Sequence, residues 1–202
     1  MRAPLPPDER ERIETLRRFR ILDTEPEEEF DEIARLASYV CHTPTALITF
    51  VDADRQWFKA RVGFEPRETP RDVSFCAHAI LRPGPLVVTD ALDDERFRDN
   101  PLVLEEPYIR FYAGFPLTSA EGRRLGTLCV LDGVRRQLFH DQAEALGRLA
   151  RVTEALLNAR RSLAYLEAAL NLKRARLAEL EADPPLEDPA PRGARPPGED
   201  VV

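Results

Sequence analysis

An α+β fold, a twisted antiparallel sheet with helices packed on it, is what the 202-residue sequence predicts, on three observations. Two amphipathic stretches come first. A β-branched, apolar middle follows, crossed by turn-rich segments. A last stretch then keeps a seven-residue leucine repeat over more than four heptads. Helices set apart from a run of strands, without the regular alternation of a parallel sheet, argue an antiparallel sandwich.

From about Asp8 to Arg20, Ile13, Leu16 and Phe19 recur at spacing three, the stripe of a short amphipathic helix. Thr24 followed by Glu27 is a capping-box pattern with Pro26 in the first turn. It predicts a second helix with Phe30, Ile33, Leu36, Ala37 and Val40 on one face, closed before Pro44. His42, at the end of that helix, is expected to answer the helix dipole and not to ligate anything.

At Thr45 the period changes. Thr45–Val51 is an almost unbroken apolar run, the pattern of a strand covered on both faces. After the Asp52-Ala53-Asp54 turn, Arg55–Val62 sets Phe58, Ala60 and Val62 against Trp57, Lys59 and Arg61, so the two runs predict a hairpin. Leu86–Thr89, Arg110–Thr118 and Arg124–Leu131 are three further strands, the last two joined at Glu121–Gly122. Glu65–Val73 and Ala91–Pro107 read as crossing segments and Ser74–Leu81 as a short helix.

In the last helix Leu149, Leu156, Leu163, Leu170 and Leu177 repeat every seven residues, followed three positions later by Val152, Ala159, Leu166, Lys173 and Leu180. Such an a/d seam predicts a parallel coiled coil between two copies. Its interface would be Leu149, Val152, Leu156, Leu163, Leu166, Leu170, Leu177 and Leu180, with Lys173 as a weak point. A helix lying along its own domain is the alternative, and needs a broader stripe. Residues 183–202 hold six prolines and little apolar bulk, and are expected to be a disordered tail. The expected division is therefore a lead-in over 1–15, a folded domain over 16–139, the coil helix over 140–182 and the tail.

Composition bounds the partners. A net charge of -7 opposes nonspecific attraction to phosphates, so nucleic acid is not expected. The sequence has 27 arginines and 2 lysines, a bias read as codon composition. With no apolar run near the roughly eighteen residues of a membrane span, and no signal-peptide pattern, a cytoplasmic protein without a membrane partner is expected. Cys41, Cys76 and Cys129 are too far apart for a paired motif and are expected to be reduced thiols, without a disulfide or a metal. At this length a kinase or cyclase output module is not expected beside the domain.

Cys76 and His78 would point about 200° apart on a helix, so a shared metal or a thiolate–imidazole pair requires an extended segment instead. Cys129 lies in an apolar strand, where a buried, inert thiol is the default. The sequence has no G-x-S-x-G elbow, phosphate-cradling glycine loop or H-E-x-x-H, and Asp52 and Asp54 read as turn residues.

Several short motifs stand together: Ile21-Leu22-Asp23-Thr24, Asp52-x-Asp54-Arg55-Gln56-Trp57-Phe58-Lys59, Ser74-Phe75-Cys76-Ala77-His78, Asp99-Asn100-Pro101, Tyr112-Ala113-Gly114-x-Pro116-Leu117 and Gly126-Thr127-Leu128-Cys129-Val130. On these the sequence, from about Leu16 to Arg160, resembles the GAF family of small-molecule sensor domains. In particular it resembles the input modules of bacterial sensor histidine kinases and diguanylate cyclases. The resemblance implies a sheet with the terminal helices on one face and a ligand pocket under short helices and loops on the other. It points to Phe75, Cys76, His78, Asn100, Tyr112 and Thr127 as the ligand-binding residues.

The resemblance also bounds the ligand, which stays unidentified, and no cofactor is expected. Bilin-binding members carry a thioether cysteine in the segment matching about Asn100–Ile109, and none stands there, which argues against covalent bilin. The cyclic-nucleotide signature needs a lysine, and no lysine lies between Lys59 and Lys173. Sulfoxide-reductase members use a cysteine cluster, for which Cys76 alone is weak support. The expectation is thus a non-enzymatic sensory module that binds a small molecule and signals through a homodimer helix, with a separate signalling protein as a further partner. A constitutive dimer with a vestigial pocket is one alternative, and a thiol redox protein using Cys76 is another.

Overall fold

The structure is a computed structural model that describes residues 2–182. Thr45–Val51 (β1) pairs on one side with Arg55–Val62 (β2) and on the other with Arg124–Asp132 (β6). Glu68–Pro70 (β3) extends the sheet beyond β2, while Phe111–Thr118 (β5) and then Leu86–Val88 (β4) extend it beyond β6. The order is β3-β2-β1-β6-β5-β4, antiparallel throughout. The five expected strands are present within a residue or so of their expected ends. β3 falls in the segment read as a crossing, because three residues are too few to show an alternation and form a strand only by pairing Glu68 with Trp57 and Pro70 with Arg55.

The helices are Glu9–Phe19 (α1), Glu28–Cys41 (α2), Phe75–Ala79 (α3), Pro101–Leu104 (α4) and His140–Ala182 (α5). Successive side chains of a strand face opposite ways, so the sheet supports two cores. Ala46, Ile48, Phe50, Phe111, Ala113, Phe115, Leu128 and Val130 join the buried faces of α1, α2 and the first turns of α5. Leu47, Val51, Tyr112, Cys129 and Leu131 face the other way, under α3, Phe97 of the crossing segment and Val103 of α4. This is the α+β architecture expected, with α4 arising inside the crossing 91–107.

Two local expectations are corrected. Thr24 caps nothing: its hydroxyl donates to the Ile21 carbonyl and accepts from Lys59. α2 instead starts after Glu27, which makes no side-chain cap bond and turns to Lys59 and Arg160. An ionic partner for a fully buried ammonium outweighs a cap that water can replace. The simple alternation of β2 also fails. Thr49 faces Phe58 while Ile48 faces Ala60, which leaves Lys59 as the extra residue of a bulge. Trp57 and Ala60 consequently share the helix-covered core, and Phe58 lies in the other.

At Gly126 a Cβ would meet the Thr49 carbonyl oxygen at 1.8 Å, so the two central strands approach where only glycine fits. Residues up to Leu163 form one compact unit and those from Ala164 a second. Within the first, α5 buries Leu146, Ala150, Thr153 and Leu157, a helical stripe at spacings of four, three and four. Leu149 and Leu156 pack partly against the same core. Of the other residues of the heptad seam, Val152, Leu163, Leu166, Leu170 and Leu177 are exposed. The side chain of Leu180 and the expected tail lie outside the described residues. Among the described residues no helix is long and apolar enough to cross a membrane.

Candidate functional site

The compartment beneath α3 is where the expected ligand-binding residues gather. Ser74 opens α3 by accepting from the Ala77 N–H at 3.0 Å, a cap that sets the next residues in a single turn. Phe75 and Cys76, buried in that turn, reach the sheet. Phe75 stacks on Phe97 with centroids 4.0 Å apart and lies against Tyr112 at 5.2 Å. His78 points elsewhere, edge-on to Phe97 at 4.8 Å. Cys76 and His78 thus serve different surroundings, as the helical geometry requires.

Tyr112 reaches Cys76 because residue 114 is glycine. The two share a face of β5, and a Cβ on Gly114 would sit 2.0 Å from the phenol oxygen. The Tyr112 hydroxyl donates to Cys76 Sγ at 3.3 Å, and the Thr127 hydroxyl donates to the same sulfur at 3.0 Å. Thr127 is opposite Thr49 in the β1–β6 register, with hydroxyls 3.3 Å apart. Cys129, two residues along the same face of β6, brings its Sγ to 3.8 Å from that of Cys76. All of these side chains are buried.

This surrounds one sulfur with donors. Burial opposes ionisation of Cys76, but hydrogen bonds from Cys129, Thr127, Thr49 and Tyr112 outweigh it and hold the thiol below its ordinary value. Burial and the neighbouring Cys76 push Cys129 well up, and burial with the two sulfurs does the same to Tyr112. Cys41, remote from this group, is pushed up to about 11 by burial.

Asn100 is spent on the scaffold. Its Oδ1 accepts from the Leu102 N–H and caps α4, and its Nδ2 donates to the Val73 carbonyl at 2.9 Å, tying the crossing to the turn before α3. Ser74 also donates to Gln56 across the compartment. A cavity of about 20 Å³ remains, lined by Gln56, Ser74, Phe75, Cys76, Leu102 and Tyr112 among others, space for one water. A larger surface groove, about 360 Å³, runs past Asp23, Lys59, Arg61 and Glu68 on the other side of β2. Lys59 and Arg61 in its wall are already engaged, with Glu27 and with the carbonyls of residues 64–66. No group of three or more potential metal ligands occurs among the described residues.

The structure brings together Phe75, Cys76, Tyr112 and Thr127, sets His78 to one side and uses Asn100 as a tie. Sequence reasoning missed Thr49 and the pairing of Cys129 with Cys76. A signal existed: Thr127 and Cys129 are alternate residues of one strand, and Thr49 interrupts an apolar run with a hydroxyl.

The model of the GAF domain matches residues 25–157. The chain belongs to the GAF domain family. A cyclic di-GMP phosphodiesterase of Pseudomonas aeruginosa is 44% identical over 87% of this chain, which spans only 30% of that relative's length. Among solved structures, the domain of a putative two-component sensor histidine kinase from Sinorhizobium meliloti 1021 superposes with a TM-score of 0.56 at 17% identity, covering 70% of this chain and 97% of the other. Free methionine-R-sulfoxide reductase from Neisseria meningitidis, solved with its substrate, also has a TM-score of 0.56, at 21% identity, over 76% of this chain and 90% of the other. At those identities the structural matches establish the GAF fold and nothing of the chemistry.

Proposed function

We propose that this GAF domain is a non-enzymatic sensory module of a signalling protein. A small molecule binds in the compartment between α3, the crossing 91–107 and β5–β6, and the occupied state passes along α5, paired with that of a second copy, to an output module. One observation carries the reading: hydroxyls, a thiol and an amide (Thr49, Gln56, Ser74, Cys76, Tyr112 and Thr127) are buried together on the face of the sheet covered only by short helices, whereas the face under α1, α2 and α5 is mainly apolar, its buried Lys59 spent on the ion pair with Glu27 and its buried Thr153 on the Leu149 carbonyl. A core that only has to be filled does not need them, since each costs desolvation unless bonded. The relatives that are a sensor kinase domain and a phosphodiesterase support the signalling setting.

The cavity of about 20 Å³ requires α3 or the crossing to move on binding, so a ligand acts by favouring the opened arrangement. A panel of small metabolites and cyclic dinucleotides, screened by thermal denaturation, tests this. A ligand at a hundred times its Kd stabilises by about 2.7 kcal/mol and raises Tm. The shift should vanish in Tyr112→Phe. Failure of the whole panel, with no change in hydrogen exchange at α3, would overturn the proposal. That result would favour a second reading, a constitutive dimer whose compartment is simply packed, for which the small cavity is the supporting observation.

A further inference from the structure

We propose that Cys76 and Cys129 form an oxidative modification site, a dithiol that a peroxide converts into a disulfide joining α3 to β6. The inference goes beyond ligand binding and does not depend on it. The two sulfurs are 3.8 Å apart, and the bond needs them at about 2.0 Å, so α3 must close on β6 as the bond forms. That helix is a single turn of five residues, held on the sheet by its own side chains.

The two thiols differ in ways that assign their roles. Cys76 lines the small cavity and Cys129 does not, so a peroxide entering beside the half-buried Phe64 and Leu102 meets Cys76. Cys76 Sγ accepts from Thr127 at 3.0 Å and Tyr112 at 3.3 Å, an arrangement that favours the thiolate, the nucleophilic form. Cys129 Sγ lies 3.8 Å away and supplies the second thiol. The Cys76 sulfur attacks one peroxide oxygen, the S–O bond forms as the O–O bond breaks, and the other oxygen leaves as water once protonated. Cys129 then displaces the oxygen of the Cys76 sulfenic acid, which departs as a second water. In sum, two thiols lose two electrons and two protons, and the peroxide gains them. Cys41 takes no part, since it lies in the core on the other face of the sheet.

The test treats the full chain with hydrogen peroxide and follows intact mass and cysteine peptides. The expected result is a loss of about 2 Da, with Cys76 and Cys129 peptides linked, reversed by dithiothreitol and unchanged in Cys41→Ser. Cys129→Ser should stop at a Cys76 sulfenic acid that dimedone traps. Thr127→Val, nearly isosteric, should slow disulfide formation about tenfold by removing one donor from the sulfur. If Cys129→Ser does not fold, the wild-type peptide map and the Thr127→Val rate still decide. Both thiols remaining open to alkylation after peroxide and denaturation, a link through Cys41, or an unchanged rate in Thr127→Val would overturn the proposal.

Discussion

The Tyr112 hydroxyl occupies space that a side chain at Gly114 would take, with only 2.0 Å between the phenol oxygen and the Cβ position. The glycine is therefore a condition for where the phenol sits, and through the phenol for the donors around Cys76. Gly114→Ala is expected to swing the ring away, break the bond to Cys76 and cost about 2 kcal/mol by overpacking. Denaturant unfolding measures the cost. The Cys76 pKa, followed by thiolate absorbance, should rise in the variant.

Glu27 makes an electrostatic link between layers. Its Oε1 accepts from Lys59 of β2 at 2.7 Å and from Arg160 of α5 at 2.9 Å. Burial alone would raise the Glu27 pKa, but the two cations hold it below the ordinary carboxylate value. A carboxyl whose folded pKa is depressed adds stability that is complete above its unfolded pKa and disappears as pH falls through the folded one. Glu27→Gln should thus lose about 2 kcal/mol at neutral pH, leaving the buried Lys59 ammonium poorly compensated. The gap to wild type should close as acid protonates the wild-type carboxyl. Unfolding curves from neutral pH to about pH 3 check the sign, and a gap constant with pH would refute the link.

What could be read from the sequence follows how far each signal reaches. Thr45–Val51 and Arg55–Val62 were legible to the residue because their β-branched and aromatic runs end at turn residues. The Lys59 bulge was not, because it depends on the register against β1 and on an acid thirty-two positions away. The site was half legible. Cys76, Tyr112, Thr127 and Cys129 all stand in recognisable motifs, but the meeting of Cys129 with Cys76 emerges only once β6 lies beneath α3, a relation of residues 53 apart in the chain. The long helix carried two superimposed patterns. A heptad seam and a core-facing stripe share Leu149 and Leu156 as flanking residues, and the more conspicuous repeat hid the stripe Leu146, Ala150, Thr153 and Leu157.

That overlap separates two kinds of leucine on one helix. Leu157 is 4% exposed and belongs to the core. Leu157→Ala should cost about 3 kcal/mol at any protein concentration, as a cavity in a packed interior does. Leu166 is 62% exposed within a single copy, and in a monomer its truncation should fall within about 0.5 kcal/mol. If two copies pair along α5, Leu166→Ala instead lowers stability in a way that deepens on dilution, because association and folding are then linked. Leu163 and Leu170, 61% and 48% exposed, allow a direct test. The double substitution Leu163→Lys and Leu170→Lys should convert a dimer into a folded monomer in sedimentation equilibrium, with the Leu157 core unaffected. A wild-type protein that sediments as a monomer at concentrations of about 100 μM would remove the paired helix from the signalling route, since a useful coil of this length should associate well below that.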